Sequence, residues 1–167
     1  MTTITAVPRS LAPALDAVEA QAADWLARHS IDLLRISLGL VFFGFGVLKF
    51  FPGVSPAEGI ASETFSILTF GLVPHGVAMA LIAALETSIG LLLIAGRGLR
   101  LALALLAVQM VGILSPIVLL PGEMFRTDPI APTLAGQYVL KDIILGAAVL
   151  VVAAKALGAE LTVRDRS

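Results

Sequence analysis

The stretch 32–51, DLLRISLGLVFFGFGVLKFF, is apolar enough to enter a bilayer, yet it carries Arg35 near one end and Lys49 near the other. On a helix turning about 100° per residue, Arg35, Gly39, Phe42, Gly46 and Lys49 fall within about 40° of one direction, so both charges share a stripe with two glycines. Lipid is a poor neighbour for that stripe, because an ionised side chain at the bilayer centre costs roughly 2.5–3.5 kcal/mol on insertion scales. Glycine, in turn, lets another backbone come close. The helix therefore requires partner helices that bear acids.

The rest of the chain can supply them only inside a membrane. It is 58% hydrophobic and 14% charged, with a mean hydropathy of +0.99, against about 45–50% and about 25% for a soluble domain. A net charge of −1 gives no reason to expect nucleic acid. Cysteine is absent, which removes disulfides, thiolate metal sites and iron–sulfur clusters. The first residues, MTTITAVPRSLAPALDA, hold no continuous apolar core, so targeting is expected to use the first span itself.

Ahead of that span, Leu11, Leu15, Val18, Ala22 and Leu26 recur every three to four residues, marking residues 10–30 as an amphipathic helix with a Ser10 cap, lying on the bundle or membrane surface. After it, Ser55-Pro56-Ala57-Glu58 matches a capping box with proline at the first helical position, so a short helix ending near Gly71 is expected. Three further apolar runs, 73–94, 99–120 and 138–157, each have the roughly 20 residues needed to cross ~30 Å of hydrocarbon. The prolines of PGEMFRTDPIAPTLAGQ make residues 121–137 an irregular loop. The fold class is thus all-α: an integral membrane four-helix bundle, residues 31–157, with an N-terminal amphipathic segment, 1–30, a short extramembrane helix after span one, and a tail, 158–167. Arg9, Arg28, Arg35, Arg97, Arg100, Lys155, Arg164 and Arg166 fall on one side against Lys49, Arg126 and Lys141 on the other. That asymmetry expects both termini, and hence the tail, in the cytoplasm.

Depths at ~1.5 Å per residue sort the intramembrane polar residues into two layers. Glu86 falls about 12 Å and Arg35 about 6 Å above the inner end of their spans by that rise. Gln109 lies near the same level, so the inner layer is Arg35, Glu86 and Gln109, with Arg35 paired to Glu86 across a gap that the guanidinium stem covers. The outer layer is Lys49, Asp142 and Lys141, with Glu58 beside them. The bland reading of the inner layer is a structural ion pair that specifies how greasy helices pack. Its functional reading makes Glu86 a proton-carrying carboxyl. The outer layer, Lys49, Lys141 and Asp142, could hold the head of a quinone or a small anion, with Gly46 and Gly146 letting spans one and four approach. His29 and His75 lie at opposite faces, which excludes a bis-histidine haem within one chain. No metal-ligand spacing appears.

One resemblance draws these residues together. Arg35, Lys49-Phe50-x-Pro52, Glu58-Gly59-Ile60, Glu86, Leu114-Ser115, Pro121-Gly122 and Val139-Leu140-Lys141-Asp142 resemble, in that order, the YkgB branch of the DoxX-like membrane proteins. The chain departs from that pattern after Pro52, where Gly53-Val54-Ser55-Pro56-Ala57 precedes Glu58 in place of Tyr-Glu-Ala. The resemblance implies a bacterial inner-membrane protein associated with oxidative-stress defence or membrane redox complexes, some relatives being subunits of quinone-linked oxidoreductases. It implies an accessory or quinone-interacting component with redox subunits as partners besides the lipid; the lack of cysteine and of a haem pair leaves no intrinsic cofactor, so electrons would use a bound quinone or a partner's cofactor. It assigns no enzymatic reaction and no oligomeric state. A small transporter or proton-conducting protein using Glu86, and a structural membrane partner without chemistry, are the alternatives.

Overall fold

In the computed structural model, which describes residues 12–126 and 131–159, the chain is helical, and the described residues contain no β-strand beyond one isolated bridge between Phe125 and Pro132. The helices are α1 (Ala12–Leu48), α2 (Glu58–Leu68), α3 (His75–Ala95), α4 (Leu99–Leu114), α5 (Pro116–Leu119), α6 (Pro121–Met124) and α7 (Leu134–Ala156). Three stretches, Leu15–Leu48, His75–Ala95 and Leu99–Leu119, are long and apolar enough to cross a membrane. The fourth long helix, α7, has 23 residues and carries Lys141, Asp142 and Lys155. α1 packs on α3, α3 on α4, α4 on α7, and α7 back on α1. Leu38, Phe42, Ile89, Leu93, Leu106, Val149 and Val152 fill the space between them.

The closest of these contacts, α1 on α3, is backbone against backbone. A Cβ on Gly46 would lie 2.6 Å from the Thr87 nitrogen, and one on Gly90 would lie 2.4 Å from the Phe43 nitrogen. Neither can exist without pushing the helices apart, so the glycine stripe of α1 faces α3. Gly46 does not mediate an approach of α1 to α7 as expected, and the nearest atom to a Cβ on Gly146 is the Met110 methyl of α4.

Two expected elements take another form. Within the expected surface helix, the described residues 12–30 do not form a separate element: from Ala12 the helix runs without a break into the span, because no glycine or proline interrupts residues 14–38. Ser10 lies outside the described residues. The capping box also does not form. α2 starts at Glu58 with no side-chain cap, and the Glu58 carboxylate accepts instead from the Gly53 N–H at 2.6 Å. Ser55 offers its backbone carbonyl to the Glu58 N–H at 3.1 Å, which closes the turn without its hydroxyl.

Pro116 ends α4 for a reason visible in the hydrogen bonds. Lacking an N–H, it leaves the Gly112 carbonyl without its usual partner, and the Ser115 hydroxyl donates to that carbonyl at 2.8 Å. The stretch expected as an irregular loop holds α6, and α7 begins four residues before Tyr138, where the Thr133 hydroxyl accepts from the Gly136 N–H at 3.0 Å. That is an N-cap.

Candidate functional site

Side chains on a helix lean toward its N-terminus. α1 and α3 run antiparallel, so Lys49, in the turn that closes α1, leans back into the protein while Glu86 on α3 leans up toward it. The Lys49 ammonium reaches the Glu86 carboxylate at 2.6 Å, with both side chains only 6% exposed. Gln109 on α4 donates its amide to the other Glu86 oxygen at 2.9 Å. Asp142 on α7, half-buried, lies within electrostatic reach of both Glu86 and Lys49. The two layers expected from depth are therefore one cluster of Lys49, Glu86, Gln109 and Asp142, contributed by the end of α1 and by α3, α4 and α7.

Arg35 is not part of it, and the Arg35–Glu86 pair does not form. The same lean carries Arg35 toward the opposite end of α3, where it donates to the carbonyls of Leu93 and, at 3.3 Å, of Ile94. These belong to the last turn of α3, where the Leu93 carbonyl also accepts from the Gly96 N–H at 3.3 Å. Gly96, left-handed at φ 67°, caps that end, and a Cβ there would press on the guanidinium at 3.1 Å. Asp32 lies 3.7 Å from the Arg35 Nε. From Glu86 to Ile94 is about 12 Å along α3 at ~1.5 Å per residue, and nearer acceptors satisfy the arginine first.

Lys141 also stands apart. It is exposed, with its ammonium 5.6 Å from the Tyr138 ring centre. Adjacent helical residues point about 100° apart, so only one of Lys141 and Asp142 can face the cluster.

Two residues read as a helix cap and an interfacial histidine complete the site. His75, the first residue of α3, is held between the Ser62 hydroxyl at Nδ1 and the Glu58 carboxylate, 3.3 Å from Nε2. Glu58, His75 and Lys49 line an open cleft of about 120 Å³ together with Phe50, Pro52 and Met79. The signal was present in the sequence, since Glu58 and His75 both start helices at the membrane face where Lys49 ends one. Lys49 thus has two aspects: one wall of a cleft on the outside, and the partner of a buried carboxylate within.

A family model described as DoxX matches residues 30–119, more than half of the chain. The chain belongs to the DoxX family. Arg35, Lys49, Glu58, His75, Glu86 and Gln109 lie inside the matched DoxX region, and Lys141 and Asp142 lie beyond it. No curated protein and no solved structure matched.

Proposed function

We propose that this DoxX protein is a four-span component of a bacterial inner-membrane redox or oxidant-defence system, of the YkgB type, and that its cleft holds a quinone head group. The observation that carries the reading is the double placement of Lys49, which lines the cleft and is bonded to buried Glu86. The cleft offers a donor in Lys49, an acceptor in Glu58, the flat ring of His75, and apolar walls in Phe50, Pro52 and Met79. Pockets that engulf a drug-sized ligand run to about 300–1,000 Å³. One of about 120 Å³ suits a single ring or a small anion. A bound quinone would supply the electron-carrying chemistry that the side chains of a cysteine-free protein lack. Proton conduction through Glu86 fits less well, because both of its oxygens already accept hydrogen bonds.

In the topology proposed here, α7 is the fourth span, both termini are cytoplasmic, and the cleft opens outward. Cysteine replacing exposed Glu63 should react with an impermeant thiol reagent on intact cells, and cysteine replacing Arg97 should not. For the ligand, protein purified in mild detergent should release quinone on lipid extraction, measured by mass spectrometry per mole of protein. His75→Phe, and Lys49→Met combined with Glu86→Gln to avoid a lone buried charge, should lower that content roughly tenfold, as expected for a loss of ~1.4 kcal/mol. A wild-type protein free of quinone would defeat the proposal.

A further inference from the structure

α1 has 37 residues against 21 in α3 and 16 in α4. Landmarks fix where its partners end: the last turn of α3 sits on Arg35, and Lys155 near the end of α7 reaches Asp32 at 2.8 Å. The helix before that level stands clear, and every residue from 15 to 26 is exposed. Residues 12–29 make a stalk of about 27 Å at ~1.5 Å per residue.

The stalk is not evenly polar. Leu15, Val18, Ala22, Trp25 and His29 follow a three-four-three-four spacing, which is that of the a and d positions of a heptad. Leu15 is 50% exposed, Val18 63% and Trp25 50%. Lipid is a poor cover for this stripe. The stalk continues unbroken into the span, so its axis leaves the membrane instead of lying along it, and Asp16, Glu19 and Asp24 against Arg28 would be repelled by an anionic surface. A seam of this spacing fits another helix with the same seam, and a second copy in the same membrane presents one parallel and at the same height.

We propose that the stalk pairs with that of a second copy in a parallel two-stranded coiled coil over residues 15–29. Two heptads are short for isolated helices in water. Here the spans hold both stalks in one plane, which raises their effective concentration without any new contact. Trp25 stacks on His29, their ring centroids 5.0 Å apart, so the seam closes on an aromatic pair at the end nearest the bundle. The pairing does not depend on what the cleft binds.

The absence of cysteine allows a clean test by single-cysteine replacement in native membranes, followed by oxidation. Cysteines at Leu15, Val18 and Ala22 should give disulfide-linked dimers, and those at Ala17, Ala20 and Ala23 little or none. Equal yields around the helix, or no linked dimer at any position, would overturn the pairing. Val18→Glu should abolish linkage through a cysteine at Ala22 without moving the melting temperature, and persistent linkage would overturn it too. Trp25 is the sole tryptophan. Its fluorescence in vesicles should resist quenching by brominated lipid, and strong quenching would place the stripe in the membrane instead.

Discussion

The two ends of the α1 span carry one cation each, on one stripe, and the protein treats them in opposite ways. Arg35 is spent on backbone: it donates to carbonyls in the last turn of α3 and lies beside exposed Asp32. Lys49 meets a buried carboxylate, which is itself held by Gln109 and lies within reach of Asp142. A planar guanidinium with five fixed donors suits a helix end, whereas a compact ammonium suits a single carboxylate and responds readily to its surroundings. The arginine end is thus a joint that fixes how α1 and α3 meet. The lysine end borders a cleft and holds a network in which removing one member leaves another charge buried.

The largest effect should come from breaking the lysine end. Glu86→Gln leaves the Lys49 ammonium buried without its counter-ion, a loss that costs about 3–5 kcal/mol for such pairs. The double change with Lys49→Met should recover most of it. A double-mutant cycle followed by thermal unfolding in detergent measures this directly, and additivity of the two changes would show that the pair does not act as one.

Next in size is the packing between the two ends. Gly90→Ala drives a methyl into the Phe43 backbone and should cost about 1–3 kcal/mol. Gly44→Ala, with nothing within 4 Å of the added carbon, should stay within about 0.5 kcal/mol in the same melting experiment. Equal effects would mean that α1 turns a different face to α3.

The arginine end should be weaker still. Arg35→Met removes a cation from the end of a helix, worth about 1–2 kcal/mol in a partly buried setting. Combined with Glu86→Gln it should be additive to within about 0.5 kcal/mol, because the two act at different ends of α3. Coupling well beyond that would reinstate an Arg35–Glu86 contact.

The sequence made the membrane character, the short helix after the first span and the need for acids opposite the charged stripe legible. It placed Gly39 and Gly46 on that stripe, where α3 now packs. What it misassigned was which acid meets which base. Depth counted along helix axes puts Arg35 near Glu86 and Lys49 near Asp142, but side chains lean toward the start of their own helix. In antiparallel helices that lean raises Glu86 toward Lys49 and lowers Arg35 away from it. That lean gives Glu86 to Lys49 and leaves Arg35 to the backbone at the far end of α3. Glu58 and His75 were hidden differently, since each has an ordinary local explanation as a helix cap or an interfacial residue. Only the return of the chain from α2 into α3 brings them to one cleft.

Lys141 should show the smallest effect, and its value lies in what it separates. It sits next to Asp142 in sequence, and depth counted along the helices groups the two with Lys49. The helix puts Asp142 toward the buried cluster and Lys141 on the surface beside Tyr138. A lysine over an exposed ring contributes about 0.5–1 kcal/mol at most. Lys141→Met should therefore leave the melting temperature nearly unchanged and, if the cleft holds a quinone head, leave the extracted quinone content unchanged as well. Asp142→Asn alters the charge facing Glu86 and Lys49, so it should shift stability where Lys141→Met does not. If Lys141→Met lowered the quinone content as far as the change of Lys49 does, the ligand would extend from the cleft to the outer face of α7, and the site would be larger than the cleft between α1, α2 and α3.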